Sequence, residues 1–124
     1  MFGLRKLFGL GGGANRIDAA KARELILGAN AMVVDVREPS EVRASGKIAG
    51  AINVPSGAIA DHADPAAGHR DWSFEPNRPI IVYCASGMRS ARACATLERL
   101  GYTQVYDLGG FGSWVAAGGD TERA

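Results

Sequence analysis

Ile80-Ile81-Val82-Tyr83-Cys84-Ala85-Ser86-Gly87-Met88-Arg89-Ser90 changes character at its middle, and that change decides the fold. The four residues before Cys84 are β-branched or aromatic, follow Pro79 and show no polar alternation, which is how a strand buried on both faces of a parallel sheet reads. From Ser90 to Leu100 the period becomes helical, with Ala93, Leu97 and Leu100 on one stripe. Between the two lies a loop of small residues that Cys84 opens. Strand, loop and helix in this order point backbone N–H groups into the loop at the positive end of the helix, forming an anion cradle. The anion it favours is the Cys84 thiolate, or a negative group attached to that sulfur. Gly87 can take φ > 0, so the loop can curl until its N–H groups converge. Lowering a thiol pKa by ~2 units needs ~2.7 kcal/mol. One or two charge-assisted bonds of ~1.5–3 kcal/mol each supply it.

Outward from this stretch, strands and helices alternate. Ile17-Asp18 begins a short edge strand, and Asp18 N-caps a helix from Ala19 to Leu27 that Gly28 closes. Met32 to Val36 reads as a buried strand, followed by a short helix with Pro39 in its first turn and its end at Gly46. Ala51 to Val54 makes a third strand, stopped by Pro55. Residues 56–79 are irregular and polar, with a helix near Gly57–Ala60 and turns at Asp64-Pro65 and Asn77-Arg78-Pro79. Val105 to Leu108 is the last strand, and Gly109-Gly110 leads into a final helix around Trp114. The alternation implies an α/β fold, a parallel sheet with helices on both faces and catalytic loops at the strand carboxyl ends.

The 124 residues suit one domain with one sizeable core. Fourteen basic and 13 acidic residues are interspersed, for a formal charge of +1, so nucleic acid is not an expected partner. The two cysteines lack metal-like spacing and no histidine lies within four residues of either. No metal and no cofactor are expected. Both thiols read as reduced in a cytoplasmic setting. No apolar run reaches the ~20 residues that span a bilayer. Met1 to Leu10 is amphipathic but interrupted by glycine and charge, and reads as a frayed tail before Gly11-Gly12-Gly13 or, alternatively, as a small foot for a membrane surface or partner.

At Cys84, Gly87, Arg89 and Ser90 the sequence resembles the rhodanese family of sulfurtransferases, whose active loop reads Cys-x-x-Gly-x-Arg-Ser. The resemblance continues in Val34-Asp35-Val36-Arg37-Glu38, in Gly46-Lys47-Ile48-Ala49-Gly50-Ala51-Ile52-Asn53-Val54-Pro55 and in Gly109-Gly110-Phe111-Gly112-Ser113-Trp114. Four ordered motifs over roughly residues 15–119 are more specific than one loop. The resemblance implies a rhodanese-like fold with a central five-stranded, mainly parallel sheet. The domain then covers 14–119, between a flexible tail at 1–13 and a C-terminal tail at 120–124. It also implies that Cys84 attacks the outer sulfur of a donor, carries it as a persulfide and passes it to a thiophilic acceptor. Ala85, Ser86, Gly87, Met88, Arg89 and Ser90 form the anion-binding loop. The expected partners are a small sulfur donor, a thiol, cyanide or protein acceptor, and no second copy, the chain acting as a monomer.

Each residue also has a plainer reading. Cys84 is then a small buried hydrophobe, although its place after the strand favours a nucleophile. Arg89 is a solvated charge at a helix N-terminus where the dipole disfavours it, and that cost suggests it holds an anionic donor such as thiosulfate. Asp35 and Arg37 brace the site as an ion pair, or Arg37 touches substrate. Cys94 lies on the apolar stripe and packs in the core. His62, His69, Asp61, Asp64, Asp71 and Trp72 form a connecting segment or the wall of a pocket, with neither histidine catalytic; Trp72 and Trp114 cover the core.

Two other functions compete with sulfur transfer. Dual-specificity phosphatases share the rhodanese fold but have a loop one residue longer, Cys-x-x-x-x-x-Arg, and here that arginine position holds Ser90. A non-catalytic docking module keeps the fold without the chemistry.

Overall fold

The computed structural model describes residues 15–67 and 73–124. The expectations for the tail at 1–13, for His69, for Asp71 and for Trp72 fall outside the described residues. Five strands form one all-parallel sheet: β1 (Asn15–Arg16), β2 (Met32–Asp35), β4 (Ile52–Asn53), β5 (Ile80–Cys84) and β6 (Val105–Gly110), in the spatial order β1-β6-β5-β2-β4. β5 is therefore central, and its carboxyl end lies among the loops that follow β2 and β6. The crossovers carry helices α1 (Ala19–Ala29), α2 (Pro39–Ser45), α3 (Ile59–Ala63, after a 3-10 turn at Ser56–Ala58) and α4 (Met88–Arg99), and α5 (Phe111–Ala116) follows β6.

Two-residue periodicity splits β5 between two cores. Ile80, Val82 and Cys84 pack with Ile59 and Ala63 of α3 and with Ala93, Cys94 and Leu97 of α4. Ile81 and Tyr83 face the opposite way, toward Ala19 and Ala22 of α1 and Trp114 of α5. All five strand residues are buried, so neither face tolerates a polar side chain, which is why the run shows no alternation. Each fully buried aliphatic contributes about 1.5–3 kcal/mol.

Several boundaries differ from the sequence reading. The edge strand is Asn15–Arg16, ahead of Ile17, and Asp18 caps α1 as expected by accepting from the Lys21 N–H. Gly28 stays inside α1, which ends at Asn30 in the left-handed region, a conformation asparagine tolerates. β6 runs two residues further than expected and is bulged: Val82 pairs with Asp107 but Tyr83 pairs with Gly109, so Leu108 is the extra residue. The bulge brings Gly109 and Gly110 level with Tyr83 and Cys84.

The C-terminal residues also do more than trail. Thr121–Glu122 (β7) pairs antiparallel with Lys47–Ile48 (β3), and Lys47 Nζ lies 3.3 Å from Glu122. Among the described residues no helix is long and apolar enough to cross a membrane.

Candidate active site

Cys84 is the last residue of β5 and is completely covered, whereas its place in the sequence suggested a position beyond the strand. Loop residues 85–87 then turn sharply. Gly87 has φ 104° and stands at the N-cap of α4, so the first N–H groups of that helix point back at the sulfur. Cys84 Sγ accepts from the Gly87 N–H at 2.9 Å and from the Ser90 N–H at 3.4 Å. Burial pushes the Cys84 thiol up. The Ser90 hydroxyl and the N–H groups of Ser90, Gly87 and Ser86 outweigh it and hold the thiol below its usual 9.0. The loop that covers the sulfur is itself open to solvent, with Ala85 and Ser86 exposed and Met88 68% exposed.

Beneath the cradle lies a buried carboxylate. Asp107 on β6 accepts from Ser90 Oγ at 2.8 Å and from the Gly109 N–H at 2.9 Å. The single hydroxyl hydrogen of Ser90 is shared among Asp107, the Gly87 carbonyl at 3.0 Å and the sulfur. The loop rests directly on β6: a Cβ added at Gly110 would lie 2.6 Å from the Ala85 carbonyl oxygen. Only glycine permits that approach.

Two ion pairs tie the neighbouring loops and helices together. Arg89 forms a bidentate pair with Glu41 of α2, Nη1 to Oε1 at 2.6 Å and Nη2 to Oε2 at 3.0 Å. Glu41 Oε1 also accepts from the Glu38 N–H at 2.9 Å, which closes a capping box on α2. The hydrogen bonds from Arg89 and from the Glu38 backbone hold the Glu41 carboxyl down at about 2. The second pair is interior. Arg37 Nε and Nη2 donate to Asp35, the latter at 2.6 Å, Nη2 donates also to the Gly46 carbonyl and Nη1 to Ser45 Oγ, and the guanidinium lies over the rings of Phe111 and Tyr83. The Asn53 amide donates to the Asp35 and Arg37 carbonyls, fixing the loop after β2.

The model of the rhodanese-like domain family matches residues 18–117. The chain belongs to the rhodanese-like family. A sulfurtransferase of Allochromatium vinosum is 36% identical over 88 residues, covering 70% of this chain and 74% of its own length. Bacillus subtilis YqhL is 36% identical over 85 residues, and the match covers 68% of this chain but only 60% of that relative. Among solved structures, a Rhodopseudomonas palustris protein described as a possible tyrosine phosphatase superposes with a TM-score of 0.79 at 31% identity, covering 88% of this chain and 85% of that one.

The rhodanese-like domain thus brings Cys84 and the N–H groups of its loop together, as the sequence reading expects. It sets Arg89 against Glu41 instead of leaving it in solvent, and Glu41 removes the cost of a cation at the start of α4. Asp35 and Arg37 are at most 3% exposed and form a buried ion pair. Cys94 packs in the core. Burial pushes its thiol up, as do the nearby Asp107 and Glu98 carboxylates.

The sequence reading missed Asp107 and Glu41. A carboxylate in the otherwise apolar run Val105-Tyr106-Asp107-Leu108 was the signal for the first, and Glu41 three residues after Glu38 was the signal for a capping box only. Nothing local announces its partner 48 residues away.

Proposed function

We propose that this domain is a sulfurtransferase that moves sulfane sulfur from thiosulfate or a persulfide to a thiophilic acceptor, cyanide in vitro and a small or protein thiol in a cytoplasmic setting. The observation that carries the reading is the pair of N–H groups from Gly87 and Ser90 on Cys84 Sγ, which stabilise a sulfur anion without any basic side chain. The Cys84 thiolate attacks the outer sulfur of the donor. The donor S–S bond breaks, and sulfite, or a thiolate from a persulfide, leaves with the bonding pair. The persulfide Cys84–S–S⁻ then yields its outer sulfur to the acceptor, and Cys84 returns as thiolate; with cyanide the product is thiocyanate. The covered position of Cys84 favours this chemistry, because a single terminal sulfur displaces less of the loop than a tetrahedral group does.

Intact mass after incubation with thiosulfate tests the reading. A gain of about 32 Da, one sulfur atom, is expected on Cys84 and is expected to vanish on adding cyanide. The description of the Rhodopseudomonas neighbour makes phosphatase chemistry the second reading. Against it stand the four residues between Cys84 and Arg89, a short ring for a phosphoryl group with three equatorial oxygens, and an arginine fork that faces Glu41. Aryl phosphate hydrolysis that depends on Cys84 and rivals sulfur transfer would replace the sulfurtransferase reading.

A further inference from the structure

The Arg89 guanidinium is the cation that an anionic donor would seek, yet both of its terminal nitrogens are already bound to Glu41, at 2.6 and 3.0 Å. Glu41 is in turn anchored by the Glu38 N–H, so swinging away costs it the capping hydrogen bond of α2 as well as the ion pair. Glu38 stands at the N-cap of the same helix, three residues before Glu41, so a second carboxylate lies on the turn that holds Arg89. Arg89 and Glu41 cancel, Glu38 adds one negative charge on the same turn and the Asp35–Arg37 pair cancels itself, so this rim of the loop is net negative before the thiolate is added. A doubly charged donor meets an occupied arginine and a negative rim. A donor with less charge meets little resistance.

We propose that Glu41 is a specificity-determining residue: by holding Arg89 it disfavours dianionic donors such as thiosulfate and leaves singly charged or uncharged carriers of a terminal sulfur, alkanethiosulfonates and organic persulfides, as the preferred class. This rests on the sulfurtransferase reading for its kinetic consequence. The carboxyl of Glu41 stays ionised far below neutrality, so the discrimination holds across the whole neutral range.

Thiosulfate and methanethiosulfonate make a suitable pair of probes, because the same S–S bond breaks in each. The Cys84 thiolate takes the outer sulfur, and the leaving group is sulfite from the dianion or methanesulfinate from the monoanion. With cyanide as acceptor, Glu41→Gln should lower KM for thiosulfate roughly three- to tenfold and change KM for methanethiosulfonate less than half as much. Glu41→Ala, which also removes the cap bond, should move the ratio of the two kcat/KM values in the same direction, with melting curves confirming that both variants fold. Equal changes for both donors, or a higher KM for thiosulfate, would overturn the proposal.

A binding arm separates this inference from the reaction itself. In a Cys84→Ser background, Glu41→Gln should tighten sulfate roughly three- to tenfold relative to methanesulfonate in calorimetric titrations. If neither donor loads sulfur onto the unmodified protein, the sulfurtransferase reading falls while the sulfate titration still decides the role of Glu41. Unchanged sulfate affinity rejects that role whatever the reaction proves to be.

Discussion

Cys84 and Cys94 lie ten residues apart, belong to the same core and are both completely covered, yet their thiols are pushed in opposite directions. Burial raises both. At Cys84 the N–H groups of a loop and the first turn of α4 converge on the sulfur. Two turns further along that helix every N–H is committed to a backbone carbonyl, and Cys94 meets only a weak contact at 3.8 Å to the Tyr106 carbonyl and the repulsion of nearby carboxylates. Exposure therefore does not distinguish a thiol held low from one pushed up in this molecule. Unspent backbone donors do.

The largest expected effect on that comparison is a functional one. Cys84→Ser should reduce sulfur transfer by a factor of roughly 10³ or more, because the persulfide bond has no other sulfur in the cradle. Cys94→Ala should keep transfer within about threefold while costing about 1–2 kcal/mol of stability for the small cavity it leaves. Cyanide-dependent thiocyanate formation, measured alongside melting curves, checks both. Comparable activity in the Cys84 variant would be fatal to the assignment.

Gly110→Ala should blur the comparison by displacing the loop. Its Cβ would stand 2.6 Å from the Ala85 carbonyl, so the backbone over Cys84 has to move and the N–H groups lose their aim. Transfer should fall roughly 10- to 100-fold, a cost of about 1.4–2.7 kcal/mol in transition-state stabilisation. Normal kinetics together with an unshifted Cys84 alkylation profile would show that the loop does not depend on this close approach.

Alkylation against pH sharpens the difference directly. The rate at Cys84 should rise with an inflection below 9, and Cys94 should label only on unfolding. Ser90→Ala removes one hydroxyl bond from the sulfur and one from Asp107, and should move the Cys84 inflection upward while destabilising the fold by about 1–3 kcal/mol. An inflection that stays in place would remove the Ser90 hydroxyl, though not its N–H, from the cradle.

The smallest effect concerns stability at alkaline pH. The Cys94 thiol is raised in the folded state, so its contribution is fully present below the unfolded value near 9 and is lost as pH climbs above it, by up to about 1.4 kcal/mol per pH unit. Cys84, depressed in the folded state, works the other way: its contribution is present above that value and is lost as pH falls through the folded one. Cys94→Ala should flatten the alkaline decline between pH 9 and 10, and Cys84→Ser should flatten the loss that Cys84 causes as pH falls from 9 toward its folded value. Urea melts at each pH would reveal whether the two thiols really oppose each other.

Much of this site was legible from short stretches. Strand, turn and helix around Cys84 are local events, and apolar periodicity reports them because burial on both faces of β5 leaves no room for polar residues. The Asp18 cap, Pro39 in the first turn of α2 and the left-handed Gly87 are likewise settled within a few residues. Errors gathered at ends and joints. Asn30 replaced Gly28 as the stop of α1, the β6 bulge went unseen, and residues 120–124, read as a tail, supply the strand that pairs with β3. Each depends on contacts with chain far away in sequence.

By itself the sequence determined the class of fold, the cysteine where a buried strand gives way to a loop and the donor-rich character of that loop, because backbone geometry and side-chain periodicity act over a handful of residues. Tertiary structure alone decided who stands around that loop. Pairing Arg89 with Glu41, placing Asp107 under Ser90 and laying Gly110 beneath Ala85 all require strands and helices 17 to 48 residues apart, or a bulged register, to meet at one sheet edge. Charge and close approach are properties of that meeting, and no local pattern encodes them.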